Sequence, residues 1–140
     1  MNFDFVTERI AIGQKIESQE FAEALRAAGI THVLNLFRGD LESFWRGHVR
    51  YVPQEDDGSP RTTAQVKMAV DYAFDVLRDG GKLYIHCQWG LGRSPAACYA
   101  ILRHFGFSQD EAVALINKKR PRCATWNWQG YIPSIEQALS

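Results

Sequence analysis

Apolar residues along this chain alternate between two rhythms, short unbroken runs and longer stretches spaced by three and four. β-Prone runs at 3–6 and 9–12 flank Thr7 and Glu8 and predict an N-terminal hairpin. Ser18 then precedes Phe21, Ala24, Leu25 and Ala28, one face of a helix for which Gly29 is the C-cap. THVLNLF (31–37) reads as a buried strand. RGDLESFWRGHVR (38–50) has no clean period and predicts a loop with at most a short helix around Leu41 to Trp45. YVP (51–53) is a short strand ended by Pro53, and QEDDGSPR (54–61) is a loop by its Asp, Gly, Ser and Pro content.

A second helix opens with Thr62 and Gln65 in capping-box relation, carries Val66, Ala69, Val70, Ala73, Val76 and Leu77 on one face, and stops at Gly80 and Gly81. KLYIH (82–86) is the next strand. SPAACYAILRH (94–104) is apolar on almost all sides, as a helix enclosed in a core must be, and Gly106 ends it. Ser108 and Glu111 form a further capping box ahead of Ala112, Leu115 and Ile116; Pro121 closes that helix, and a last one is expected around 128–139.

Strands alternating with helices predict an α/β fold, with a central, mostly parallel sheet flanked by helices on both faces. The 140 residues, without repeats or linkers, are read as a single domain, 1–140, and a monomer is expected. Sixteen basic residues balance sixteen acidic ones, so no global field draws the chain to nucleic acid or to an anionic membrane. Any anion binding has to be local. The N-terminal residues show no secretory pattern and no apolar run is long enough to span a bilayer, which points to a cytoplasmic protein. Cys87, Cys98 and Cys123 cannot close a disulfide framework; Cys98, within AACYAIL, reads as a buried small hydrophobe.

Ligands of such sheets sit at the carboxyl ends of the strands, and HCQWGLGRSP (86–95) occupies that place. A loop running from a strand end into a helix N-terminus gathers unpaired N–H groups and the positive end of the helix dipole. Gly90 and Gly92 let Gln88, Trp89, Gly90, Leu91 and Gly92 curl around one tetrahedral anion. Arg93 offers a planar guanidinium to two anion oxygens at once. The same N–H dipoles favour a thiolate at Cys87 and make it a nucleophile beneath the bound phosphorus. Ser94 can donate its hydroxyl to the sulfur, and His86 orients the loop rather than acting as a base.

HCQWGLGRS resembles the HCxxGxxR[ST] signature of the cysteine-based protein tyrosine phosphatase superfamily, and the compact length and element order resemble its dual-specificity branch. ITHVLNL (30–36) is similar to a strand upstream in that branch. The resemblance implies a protein tyrosine phosphatase-like fold and a phosphomonoester hydrolase that needs no metal or other cofactor. Its substrate would be phosphotyrosine, with phosphoserine or phosphothreonine also open, in a protein or a small phosphomonoester. It further implies catalytic roles for Cys87 and Arg93 with a phosphocysteine intermediate, and assistance from Ser94. An aspartate general acid belongs on the loop QEDDGSPR, where Asp56 is favoured over Asp57. Asn127, followed by Gly130 and Tyr131, falls where the family carries an Asn, a Gly and an aromatic, which implies support of the loop.

The loop holds no lysine, which argues against polyphosphorylated inositol lipids. Lys67, Lys82, Arg120 and Arg122 read as a solvated or rim set. Trp89 either faces the pocket mouth or packs outward; core packing is the default for Trp45, Trp126 and Trp128. A rhodanese-type sulfurtransferase and a phosphate-recognition module without turnover are the alternatives. The joint presence of His86, Cys87, Arg93, Ser94 and the upstream aspartates disfavours both.

Overall fold

The computed structural model describes residues 2–37 and 44–140. The short helix considered around Leu41 to Trp45 falls mainly outside them. Strands β1 (Phe3–Thr7) and β2 (Ile10–Gly13) form the hairpin, with a register shift between Phe5 and Thr7. Helix α1 (Gln19–Ala27) follows, then β3 (His32–Asn35), β4 (His48–Tyr51), α2 (Thr63–Arg78), β5 (Leu83–His86), α3 (Arg93–His104), α4 (Gln109–Lys119) and α5 (Ile132–Leu139). Two single-turn helical segments, Pro121–Cys123 and Asn127–Tyr131, link α4 to α5.

The five strands lie in the order β1-β2-β5-β3-β4, antiparallel in the hairpin and parallel elsewhere. Alternation along each central strand decides what covers each face. Ile10, Ile12, Leu34, Leu83 and Ile85 point into one core with α2, α3, α4 and α5, whereas Ala11, Val33 and Tyr84 face a second, smaller core under α1 with Phe21, Leu25 and Trp45. Helix α3 is buried from Arg93 to Leu102, which explains its apolar circumference.

Capping chemistry sets the helix ends. The Ser18 hydroxyl accepts from the Phe21 amide, and reciprocal capping boxes open α2 (Thr62, Gln65) and α4 (Ser108, Glu111). Gly29, at φ +95°, lies one residue beyond the α1 cap, Ala28. The strand expected at 51–53 is displaced: β4 covers His48–Tyr51 and pairs in register with β3, His32 to His48 and Asn35 to Tyr51. It is an exposed edge strand with no buried alternation, so periodicity could not locate it.

Arg103 ties α3 to α5 through two hydrogen bonds of 2.9 Å to Glu136, which also accepts from the Tyr99 hydroxyl at 2.7 Å. These bonds, the Arg103 pairing first, hold the Glu136 carboxyl at about 2, below its ordinary 4.5. A depressed folded-state value means that the stabilisation is complete above 4.5 and disappears as pH falls through about 2. Glu136→Gln is therefore expected to cost about 1–3 kcal/mol at neutral pH, with the Tm gap to wild type narrowing as pH falls from 4.5 towards about 2.

Candidate active site

Gly13, Asn35 and His86 stand abreast at the carboxyl ends of β2, β3 and β5, and the loop 87–92 leaves the last of these at the centre of the sheet. A chain reversing from a buried strand into a buried helix has to find partners for its own backbone groups. Here the carbonyls are claimed from outside the curl. Lys15 N–H donates to Gln88 O at 3.2 Å, and Arg120 donates to Gly90 O at 2.7 Å and to Trp89 O at 3.1 Å. These carbonyls are thus held by partners outside the loop. The Gly90 N–H donates to Cys87 Sγ at 3.2 Å, and Sγ lies 3.5 Å from Ser94 Oγ. Cys87 is buried at the floor of the curl and Ser94 is fully enclosed beside it.

Two glycines are dictated by geometry. Gly90 has φ +74°, and a Cβ there would lie 2.4 Å from the Gly13 carbonyl carbon, so the loop packs backbone to backbone on the end of β2. A Cβ on Gly92 would lie 2.6 Å from Asp56 Oδ1, so the Asp56 carboxyl rests directly on the last residue of the loop. Pro95 is tolerated in the first turn of α3, where no amide partner is required.

Arg93, first residue of α3, is 7% exposed and donates from Nη1 to Gln54 O at 3.1 Å, with its guanidinium 5.1 Å from the Phe37 ring centroid. Its Nε is buried and has no hydrogen-bond partner among the described residues. A buried guanidinium with an unsatisfied donor is suited to an anion held in the loop. The His86 ring lies fully inside the sheet, with Nδ1 3.1 Å from the Cys87 carbonyl oxygen, an acceptor, so Nδ1–H is the donor. That is a contact on the backbone of the loop entry.

The two aspartates differ in what they touch. Asp57 accepts from the Ser59 amide at 3.0 Å, closing a turn, and the hydrogen bonds from Ser59 hold its carboxyl below the ordinary carboxylate range. Asp56 instead borders a cleft of about 240 Å³ lined by Gly58, Gly92, Trp126, Asn127, Trp128, Gly130 and Tyr131. The loop carrying it is pinned by Arg61, which is 5% exposed and donates to the Gln54 side chain at 3.0 Å, to the Ser59 carbonyl at 3.1 Å and to the Glu55 carbonyl. Burial lowers the affinity of Arg61 for its proton.

The remaining side chains singled out in the sequence divide between core, cleft and surface. Arg120 is not a rim cation: it is fully buried, and beyond the two loop carbonyls it bonds Asp4 at 2.8 Å and Asn2 at 2.7 Å, fastening the loop to β1. Asn127, expected to support the loop, lines the cleft next to Gly130. Trp126 is 54% exposed rather than core, whereas Trp45 and Trp128 are buried; Trp89 is 55% exposed and faces solvent. Leu91 packs on the main core and Gln88 is half-buried. Cys98 and Cys123 are free and buried, the thiol of Cys98 pushed up and that of Cys123 pushed up to about 11 by burial, as expected for inert core sulfurs.

The chain is similar in sequence and in fold to known proteins. Human dual specificity protein phosphatase 1 is 29% identical over 101 residues, covering 70% of this chain and 27% of its own length. Rat dual specificity protein phosphatase 5 is 31% identical over 100 residues, covering 70% and 26%. The chain thus matches about a quarter of the length of these relatives. Among solved structures, human DUSP28 superposes with a TM-score of 0.84 at 25% identity, covering 99% of this chain and 93% of that one. A mouse putative dual specificity phosphatase complexed with zinc tungstate gives 0.80 at 27% identity, covering 97% and 85%. The model of the dual specificity phosphatase catalytic domain matches residues 11–134. The chain belongs to the dual specificity phosphatase catalytic domain family.

Proposed function

We propose that this chain is a metal-independent phosphomonoester hydrolase that works through a phosphocysteine at Cys87, with phosphotyrosine as the best supported substrate. The observation that carries this reading is a buried Cys87 whose Sγ receives the Gly90 N–H at 3.2 Å, followed at the start of α3 by a buried Arg93 whose Nε has no partner among the described residues. A tetrahedral dianion in the curl receives the inward amides of residues 88–93 and the Arg93 fork, so the charge of the phosphoryl oxygens is met by preorganised donors. The similar mouse structure, complexed with zinc tungstate, supports binding of a tetrahedral oxyanion.

In the first step Sγ bonds to phosphorus, the P–O ester bond breaks with both electrons leaving on oxygen, and Asp56 supplies that oxygen with a proton. In the second, Asp56 takes a proton from water as the water oxygen bonds phosphorus, and the P–S bond breaks to return the electron pair to Sγ. The Ser94 hydroxyl, 3.5 Å away, donates to the departing sulfur. His86 keeps the loop entry in place, and Arg120 holds Trp89 O and Gly90 O turned outward.

Trp89, on the loop, and Trp126, on the cleft, are each more than half exposed, and no lysine occurs in the loop. Flat aromatic platforms without clustered cations suit a phenyl phosphate better than a polyphosphorylated head group. Among the described residues, no helix is long and apolar enough to cross a membrane.

The acid assignment is tested by comparing hydrolysis of phenyl phosphate by wild type, Asp56→Asn and Asp57→Asn in the presence of EDTA. Asp56→Asn is expected to lose about 10²-fold or more and Asp57→Asn to stay within about twofold. The reverse order would move the acid to Asp57.

A further inference from the structure

Asp56 does not stand alone at the cleft. The Tyr131 hydroxyl donates to Asp56 Oδ1 at 2.8 Å and accepts from the Gly58 amide at 3.2 Å. An amide can only donate, so the Gly58 N–H occupies a lone pair of the phenol oxygen and its proton is left for the carboxyl. The ring is fixed independently of its hydroxyl: Tyr131 is 4% exposed, and the Arg61 guanidinium lies 4.2 Å from its centroid while holding Gln54, Glu55 and Ser59.

We propose that the Tyr131 hydroxyl positions the Asp56 carboxyl by engaging Oδ1, so that Oδ2 is the oxygen that carries the proton to and from the reacting ester. The proposal rests on Asp56 being the general acid. A carboxyl oxygen that already accepts an O–H bond is the poorer site for a further proton, whereas the other oxygen is unencumbered. Burial, and then the hydrogen bond to Asp56, raises the affinity of Tyr131 for its own proton, so the phenol remains a donor throughout the cycle. In the first step the Oδ2 proton passes to the ester oxygen as the P–O electrons leave with it, and the resulting carboxylate keeps its Tyr131 bond on Oδ1. In the second step Oδ2 receives the proton of the attacking water as the P–S electrons return to Cys87. The phenol gives up no proton in either step. Tyr131 is thus a positioning residue acting through Asp56, with no contact to the reacting phosphoryl group.

Tyr131→Phe keeps the ring and the Arg61 stack and deletes only the hydroxyl, so the test compares wild type, Tyr131→Phe, Asp56→Asn and the double variant. Each is assayed on phenyl phosphate, a poor leaving group, and on p-nitrophenyl phosphate, a good one. Tyr131→Phe is expected to lower kcat on phenyl phosphate roughly tenfold, at least about fivefold more than on p-nitrophenyl phosphate, with KM within about twofold. In the Asp56→Asn background the same change should cost nothing further. An equal loss on both substrates, a loss that persists beside Asp56→Asn, or wild-type kinetics in Tyr131→Phe would each overturn the positioning role. If Asp56→Asn itself shows no preference between leaving groups, the general-acid reading fails and the proposal falls with it.

Discussion

Cys87→Ser is expected to abolish turnover, by about 10⁴-fold or more, while tungstate still binds the loop. The sulfur sits at the floor of the curl, where the Gly90 N–H donates to it at 3.2 Å. A serine hydroxyl placed there is neutral and needs a base to attack phosphorus. The neighbouring His86 ring contacts the backbone, its Nδ1 3.1 Å from the Cys87 carbonyl oxygen. The parts proposed to bind the anion, the loop amides and Arg93, are untouched by the change. Kinetics on p-nitrophenyl phosphate measure the first half of this expectation, and Trp89, exposed on the loop, offers a fluorescence reporter of tungstate titration for the second. Substantial activity in the serine variant would mean that the thiol is not the nucleophile.

Arg93→Lys should reduce kcat/KM by about 10²–10³-fold, the usual scale for losing a preorganised donor to the transition state. The guanidinium does two things at once: one nitrogen holds the acid loop through Gln54 O at 3.1 Å while the buried Nε remains available to an anion. An ammonium is a point charge without a fork and cannot meet both demands from the first turn of α3. Steady-state kinetics with phenyl phosphate would show the loss in both kcat and KM. A variant within about threefold of wild type would remove Arg93 from transition-state binding.

Local chemistry was readable from the chain wherever the partners are near in sequence. The capping boxes at Thr62 with Gln65 and at Ser108 with Glu111 are three-residue relations, and both are formed. The stretch from His86 to Ser94 is a continuous turn between a buried strand and a buried helix, so its spacing carried its geometry. Edge strand β4 was misplaced because its residues are mostly exposed, leaving no alternation to detect. Arg120 was taken for a rim cation because its partners, Asn2, Asp4, Trp89 and Gly90, lie far away along the chain and nothing beside it marks burial. Two aspartates in a row gave no local means of separating a turn former from an acid. Their surroundings differ, Ser59 beside Asp57 and Gly92 and Tyr131 beside Asp56, and the latter contacts exist only once the sheet and the 127–131 segment are assembled.

The most direct test of the central claim is to trap the covalent intermediate. Wild type turning over p-nitrophenyl phosphate would be quenched in acid within the first turnovers, and the protein analysed by intact mass and peptide mapping. The account predicts a gain of one phosphoryl group on the peptide carrying Cys87, attached through sulfur and absent from Cys87→Ser. Full turnover with no adduct, or an adduct on any other residue, would contradict it.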